Sequence, residues 1–556
     1  MISYRKLARA ALFIVAAAFF NAAAWAADPA WLWAKQADVS TASSTATAST
    51  VTADPAGNIY VAGTFQGTAK FGAYSLTSAG GYADVFVAKY DSGGNSLWAL
   101  AVGGSCQVGG IAADATRVYL TGSCVHGASF GGHPLPASPS YNGSVYVATI
   151  DPAGSFTRVL ASGGSGDMNG TAIAIDSEGS ILVTGSYTNT PTLLGTTLTG
   201  SGGAFVFKVN NATDTLAWIK SSDGSANAVT ADSAGNVYIA GSFARGTAVF
   251  GGTTLTVGLP YGNTIPFVAK LDKSGNWLWA KGMPSRSYDM SNGVAADAAG
   301  NIYVTGRFVA QITFDATTLT ATAMNAYTAF IAKLDPSGNF LWTRQAGAAT
   351  QYVYGKAVTI NTDGNPVMSG AYCGTATFGS LSLTPKYKCD AFVTELGASS
   401  GDYLWAKSAG GNSGNESADA LALAPGGNLI VAGNFEDNIS FNTTLLSVNR
   451  PTDYWVNDMF LATLGQGTAL PAAPAMSVGV SGQTVTISWS PVANADSYTL
   501  YYAPYPAATS VGSADMGTAK NLSLTLPSGS AFYVAVKANN SGGASDFSNI
   551  GYFIVP

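Results

Sequence analysis

Asn58-Ile-Tyr-Val-Ala-Gly63 is the stretch on which the fold of this chain turns, because the chain repeats it. The phrase returns as Val118-Tyr-Leu-Thr-Gly122, Ile181-Leu-Val-Thr-Gly185, Val237-Tyr-Ile-Ala-Gly241, Ile302-Tyr-Val-Thr-Gly306, Pro366-Val-Met-Ser-Gly370 and Leu429-Ile-Val-Ala-Gly433. Its closing glycines stand 59, 63, 56, 65, 64 and 63 residues apart, which makes seven copies of one unit. Each copy is a short apolar run without a 3.6-residue period and rich in β-branched and aromatic residues, so it reads as a strand buried on both faces.

Around each copy lie three more strand candidates. A short run precedes it, as in Val51-Thr-Ala-Asp54 and Val294-Ala-Ala-Asp297. After a longer stretch come Phe86-Val-Ala-Lys89, Phe267-Val-Ala-Lys270 and Phe330-Ile-Ala-Lys333, then Leu97-Trp98, Leu278-Trp279-Ala-Lys281 and Leu404-Trp405-Ala-Lys407. The first and second strands are joined by Asp54-Pro-Ala-Gly57-Asn58 and its copies, the third and fourth by Asp272-Lys-Ser-Gly275-Asn276 and its copies. In such a turn the carboxylate accepts backbone N–H bonds and Gly supplies the positive φ. A calcium loop is the rival reading, but D-x-x-G-N lacks the longer carboxylate ladder and distal Glu.

Four strands per unit and seven units predict an all-β fold, a seven-bladed β-propeller. The seventh unit ends at Phe460-Leu-Ala-Thr-Leu464 with no Leu-Trp strand after it, while a spare strand of that type, Trp31-Leu32-Trp33-Ala34-Lys35, precedes the first unit. Pairing the two closes the circle and leaves no sheet edge open. The G-N-[IV]-Y-[VI]-[AT]-G, F-[VI]-A-K-L-D and G-N-x-L-W-A-K phrases resemble the SBBP-type β-propeller repeat family of exported bacterial proteins, over roughly residues 31–464. That resemblance implies architecture and no catalytic motif. Local departures are Arg158 where the fourth strand elsewhere has Trp, and Pro425-Gly-Gly-Asn428, which lacks the turn Asp.

Residues 1–26 read as an export signal. Arg5, Lys6 and Arg9 precede the apolar run Ala10 to Phe20, and Ala24-Trp25-Ala26 offers a cleavage site. The run is too short for a membrane span, and no other span follows. Residues 27–464 form the repeat domain, 465–477 a linker, and 478–556 a small β-sandwich. The sandwich resembles a fibronectin type III domain through Trp489, Val534-x-Val536-x-Ala538-x-Asn540 and Gly543-x-Ser545, with Phe532 where the corner tyrosine usually stands. Cys106 with Cys124 and Cys373 with Cys389 read as disulfides, each worth roughly 3 kcal/mol in the chain-entropy picture. A four-cysteine metal site would need C-x-x-C spacing, which is absent.

Charged residues are 10% and the net charge is −6, with no basic run after the leader, which argues against nucleic-acid binding. The residue two before each first strand gives Ser49, Gly109, Thr171, Asn227, Asn292, Lys356 and Asp419 as candidate channel residues, with Lys356 and Asp419 expected to pair. His126 and His133 in one glycine-rich loop are the sole histidines and the sole candidates for a second metal. The regular tryptophans (Trp33, Trp98, Trp218, Trp279, Trp342, Trp405) read as packing between blades rather than a sugar platform, and Lys89, Lys208, Lys270 and Lys333 as solvated or paired. Long variable connections such as Gln66 to Asp84 and Gly246 to Pro266 mark one face for ligands. The resulting expectation is a non-catalytic exported protein that binds or scaffolds a cell-surface protein or glycan, with no cofactor. A polysaccharide lyase or hydrolase and a structural subunit of an extracellular assembly are the alternatives. No residue pattern specifies an oligomeric state.

Overall fold

In a computed structural model, the described residues are 27–556 apart from 40–43, 80–82, 126–127, 136–142, 245, 258–263, 286, 322, 324, 443, 449–456, 468–470, 494, 508–509, 541–542 and 546. The export-signal reading of residues 1–26 and His126 therefore lie outside them. Every regular element among the described residues is a β-strand.

Seven antiparallel sets of four strands follow one another, the second and fifth extended to six-stranded sheets by hairpin strands of the sets that follow them. The first holds Thr45–Ala53, Ile59–Gln66, Asp84–Tyr90 and Ser96–Val102; the second Cys106–Ala113, Val118–Cys124, Ser144–Ile150 and Phe156–Gly164. The third holds Met168–Ile175, Ile181–Thr188, Gly202–Asn210 and Thr215–Ser222; the fourth Ser225–Ala231, Val237–Ala244, Thr264–Leu271 and Trp277–Gly282. Met290–Ala296, Ile302–Phe308, Thr328–Leu334 and Phe340–Ala348 make the fifth; Val353–Ile360, Pro366–Cys373, Cys389–Leu396 and Tyr403–Ala409 the sixth. The seventh takes Ser417–Leu423, Leu429–Glu436 and Asn457–Gly467 from one part of the chain and Ala27–Gln36 from the other, with Lys35 opposite Leu461 and Gln36 opposite Phe460. The first strand of each sheet packs beside the first strand of the next, and that of the seventh beside that of the first. The third strand of the seventh sheet runs on to Gly467, three residues into the segment that composition marks as linker.

One end of every sheet is made of the repeated turns, and these explain the repeat residues. Asp54 Oδ1 accepts the N–H groups of Ala56 (3.0 Å) and Asn58 (2.9 Å), while Oδ2 accepts Asn58 Nδ2 (2.7 Å) and Tyr60 Oη (2.9 Å). Four donors use up the acceptor sites of a carboxylate. Tyr60 belongs to the repeated phrase, so that phrase carries both a strand and the clasp of its own turn. The same clasp recurs at Asp232 with Asn236 and Tyr238, and at Asp297 with Asn301 and Tyr303.

The fourth-strand tryptophans cross to the next sheet. Trp33 Nε1 donates to the Ser92 carbonyl (3.1 Å), Trp98 to Pro152 (3.1 Å), Trp218 to Lys273 (3.1 Å), Trp279 to Pro336 (3.2 Å) and Trp342 to Ala398 (3.1 Å). Each acceptor is in the turn between the third and fourth strands of the following sheet, whose glycine (Gly94, Gly154, Gly275, Gly338, Gly401) lies against the indole face. A Cβ there would strike the ring, so these glycines answer to close approach as well as to positive φ. The third-strand lysines are buried and partnered rather than solvated: Lys208 pairs with Asp176 (2.7 Å) and Glu178 (2.8 Å), while Lys89, Lys270 and Lys333 donate to the same carbonyls of Pro152, Pro336 and Ala398 and lie over the rings of Tyr60, Tyr238 and Tyr303.

The long, variable connections at the other end of each sheet are structured. Between second and third strands every repeat carries a small hairpin: Thr68–Phe71 with Tyr74–Thr77, Ser129–Phe130 with His133–Pro134, Pro191–Leu193 with Thr196–Thr197, Gly246–Phe250 with Thr253–Val257, Gln311–Phe314 with Thr317–Thr320, Ala376–Phe378 with Leu381–Leu383, and Asn438–Phe441 with Thr444–Ser447. Six of the seven bury Ala69, Pro191, Ala248, Ile312, Ala376 or Ile439, and each buries a larger apolar residue, Phe71, Phe130, Leu193, Phe250, Phe314, Phe378 or Phe441. In six of the seven this residue is a Phe that meets a third-strand aromatic, as in Phe71 with Phe86 (4.6 Å) and Phe378 with Phe392 (4.9 Å). Several hairpins also pair with the end of the preceding sheet's outer strand, Pro191–Leu193 with Ser162–Gly164 and Ala376–Phe378 with Ala346–Ala348. Much of the apparent variability is thus a second repeated motif whose sequence varies around one or two buried apolar residues.

The C-terminal strands form two further sheets, Met476–Ser481, Thr484–Trp489 and Asn521–Thr525 in one, and Ser497–Pro504, Gly512–Gly517, Ala531–Asn540, Gly543–Ala544 and Gly551–Ile554 in the other. Their shared core holds Val485, Ile487, Trp489, Tyr498, Val534 and Val536. Where Phe532 cannot supply a hydroxyl, Tyr498 Oη accepts the Val492 N–H (2.9 Å) instead.

Candidate functional site

The seven residues read as channel-lining share one structural role. Ser49, Gly109, Thr171, Asn227, Asn292, Lys356 and Asp419 are each the residue skipped in the register between first and second strands, the extra residue of a β-bulge. The bulge also explains the closing glycine of the repeated phrase. A Cβ at Gly63, Gly185 or Gly433 would collide with the first-strand carbonyl of Thr47, Asn169 or Ser417.

These bulged residues reach the next sheet. Thr171 Oγ1 donates to the Ala226 carbonyl (2.6 Å), Asn227 Nδ2 to Ser291 (2.9 Å) and Asn292 Nδ2 to Gly355 (2.7 Å). Lys356 Nζ stands 3.3 Å from Asp419 Oδ1, and Asp419 Oδ2 accepts Ser417 Oγ and Asn434 Nδ2 at 2.7 Å each. Asn434 then donates to the Ala48 carbonyl (3.0 Å) and accepts its N–H (2.9 Å), tying the seventh sheet to the first. Gly109 makes its link by lacking a side chain, since a Cβ would collide with the Gly170 carbonyl. Saturated groups of this kind hold sheets together and are poorly suited to proton transfer.

Chemistry concentrates at the hairpin end between the sixth and seventh sheets, where Lys356 and Asn434 of this network also take part. A cavity of about 750 Å³ is lined there by Tyr352, Tyr354, Lys356, Glu416, Asn434 and Glu436, with the Cys373–Cys389 disulfide in its wall. Smaller cavities of 430 and 370 Å³ occupy the same end at the second and third sheets and at the first and second. Cys106–Cys124 borders the latter, so both disulfides clamp strand ends on this side.

The large cavity has an aromatic wall and a buried acid. Tyr352 and Tyr354 stack at 6.0 Å with 21° between planes, Tyr327 sits 5.5 Å from Tyr354, and the Arg307 guanidinium lies 4.5 Å from the Tyr327 centroid. Glu416 is 1% exposed, and no donor among the described residues meets hydrogen-bond geometry at either carboxyl oxygen. Burial pushes its pKa up to about 9, the neighbouring Asp390, Glu436 and Asp437 carboxylates add to the rise, and the Gly411 N–H offsets only part of it. Burial likewise raises Asp390 to about 6.

Composition offered one sign of this acid that position within the repeat did not. The chain has four glutamates, and Glu395, Glu416 and Glu436 crowd into the sixth and seventh sheets. The proposed metal residues gain no such support: His133 is exposed at a hairpin turn, and no group of three metal-ligating side chains occurs among the described residues. On the outer strands Leu32, Leu97, Leu278, Leu341 and Leu404 are exposed, one to a sheet.

No family model matches the chain. An uncharacterised WD repeat-containing protein of Acanthamoeba polyphaga mimivirus is 34% identical over 125 residues, which is 20% of this chain and 9% of that protein, so the match spans a small part of either. Among solved structures, a Fn3-like protein from Clostridium thermocellum aligns over 16% of this chain and 95% of its own length at 22% identity and TM-score 0.14. Chicken CNTN1 FN1-FN3 domains align over 48% of this chain and 98% of theirs at 10% identity and TM-score 0.18. Scores this low carry no structural argument. Two disulfides fit an extracellular protein, and no helix among the described residues is long and apolar enough to cross a membrane.

Proposed function

We propose that this chain is an exported binding or scaffold protein, a seven-bladed β-propeller of SBBP-type repeats closed by its own N-terminal strand and followed by a fibronectin type III-like sandwich. The successive packing of first strands, the seventh sheet built from two parts of the chain, and the repeated phrases support the architecture. The observation that carries the function is the contrast in how side chains are used. At the turn end the repeat residues are spent on one another, whereas the cavity at the sixth and seventh sheets presents stacked tyrosines, amides and a buried acid with little beside it but the Gly411 N–H among the described residues. Ligand sites combine an apolar wall with a few convergent polar groups in this way. The partner is a cell-surface glycan or protein, seated at this cavity.

The test is a glycan-array and surface-protein pull-down screen with the intact chain and its Tyr354→Ala variant. Binding that falls at least tenfold in the variant, with melting unchanged, supports the assignment; equal binding by both proteins defeats it. One observation favours a polysaccharide lyase or hydrolase as a second reading, namely two neighbouring buried acids, Glu416 and Asp390, raised to different degrees. Product release from a bound polysaccharide, measured by reducing-end or unsaturated-sugar assay, decides for that reading.

A further inference from the structure

Glu416 immediately precedes the first strand of the seventh sheet, yet it does not behave as the other buried acids near these strand starts do. Asp289, just ahead of the fifth sheet, accepts the backbone N–H groups of Val309 (2.8 Å) and Ser287 (3.2 Å). Asp390, at the start of a third strand, accepts the Lys386 N–H. Glu416 has the longer side chain, lines the cavity, and has only the Gly411 N–H beside its carboxyl group, outside good hydrogen-bond geometry. A buried carboxylate left in that condition is costly, whereas a carboxylic acid has one proton to donate and needs one acceptor to receive it.

The groups around it decide what that acceptor is. Asp390, on the third strand of the sixth sheet, and Glu436 and Asp437, at the end of the seventh sheet's second strand, all oppose a second negative charge. Tyr372 is buried behind Asp390. Lys356 and Lys388 also line the cavity, the former engaged by Asp419 and the latter beside Tyr387. An anionic ligand meets the carboxylates, and a cationic one meets the lysines. A neutral polyhydroxylated ring meets neither penalty. Its hydroxyl oxygens accept from the acid and the amides, and its C–H faces suit the Tyr352–Tyr354 stack.

We propose that the cavity binds an uncharged saccharide, with the Glu416 carboxyl group donating a hydrogen bond to a sugar oxygen. This rests on the binding role assigned to the cavity above, and it separates from that role experimentally. The intact protein is titrated calorimetrically with neutral xylo-, manno- and N-acetylchito-hexaoses, with a de-acetylated chitosan hexamer and with oligogalacturonate. Glu416→Gln keeps a donor at the same place, so it retains neutral-sugar affinity within about threefold. The parent protein loses affinity at least threefold between pH 7 and pH 10, and the Gln variant does not. Infrared spectra at pH 7 show a protonated-carboxyl band that Glu416→Gln removes, a readout independent of any ligand. Preference for chitosan with a tenfold loss in Glu416→Gln shows an ionised Glu416 and overturns the proposal. Neutral-sugar binding without the infrared band overturns the donor role alone, leaving the cavity as a binding site. The band without binding of any probe overturns the saccharide.

Discussion

The two ends of the repeat sheets hold acids of opposite character. At the turn end, burial alone pushes the Asp232 carboxyl up, but donors from Asn236 and Tyr238 outweigh it and hold the group below its ordinary range. Asp272 and Asp335 are likewise lowered by their turn donors. At the hairpin end Asp289 and Asp390 rise to about 6 and Glu416 to about 9, because burial outweighs the few donors they have. The difference teaches which end evolution has left open to something else. A carboxylate built into a frame brings its donors in its own turn and the strand that follows it, whereas one that waits for a ligand is underserved by its own chain.

The strongest way to break this comparison is to disturb the frame itself. Removing residues 27–36 strips the seventh sheet of its fourth strand, along with the Trp33 link to the first sheet. The loss should exceed the roughly 3–5 kcal/mol of a single buried-Trp deletion and abolish a cooperative melt by circular dichroism. A truncated protein melting as the parent does would mean that the frame closes without this strand. Next in size, the two ends should answer single substitutions with opposite signs. Asp232→Ala leaves the Tyr238 hydroxyl and two Asn236 donors unserved and should cost about 1–3 kcal/mol in urea unfolding at pH 7. Glu416→Gln should stabilise instead. Its folded pKa lies above the unfolded one, so the parent loses stability as pH rises from about 4.5 toward 9. The gain should be about 1 kcal/mol or more at pH 7.5 and vanish near pH 4. The lowered Asp232 contributes with the reverse sign, its share being lost as pH falls below about 3.8. The smallest effect is expected at Arg158, which stands where other sheets place Trp and reaches the third sheet's turn through Asn211 and Asp214. Arg158→Trp should change stability by less than about 1 kcal/mol, with loss of salt dependence as the finer readout.

Much of the frame was legible because each repeat residue does two jobs that recur together. The phrase tyrosine and the turn aspartate, or the fourth-strand tryptophan and the next turn's glycine, recur because each needs the other. The exceptions are legible afterwards in the same terms. In the sixth sheet Glu395 replaces the third-strand lysine, and Trp405 donates to it at 2.7 Å, because the seventh sheet's third and fourth strands are not joined by a turn that could accept either group. Asn365 also donates to Glu395 (2.7 Å), and that turn carries Asn361 in place of aspartate. The hairpins escaped notice because each first strand is two to five residues long and buries one or two of them, too short a stretch for alternation to stand out. The cavity was illegible for a different reason. Glu416 lies in a glycine- and asparagine-rich connection with no periodic context, and its burial comes from sheets assembled around it.

The composite seventh sheet also sets an order of assembly. Six sheets can complete as their own residues become available, but the segment after residue 26 must wait for residues 457–467 before it finds a partner. Until then the Trp31–Lys35 strand and the Phe460 strand both present bare edges. A chain that stopped short of residue 457 would leave the Trp31–Lys35 strand bare, so the last sheet to form doubles as a check that synthesis ran to that point.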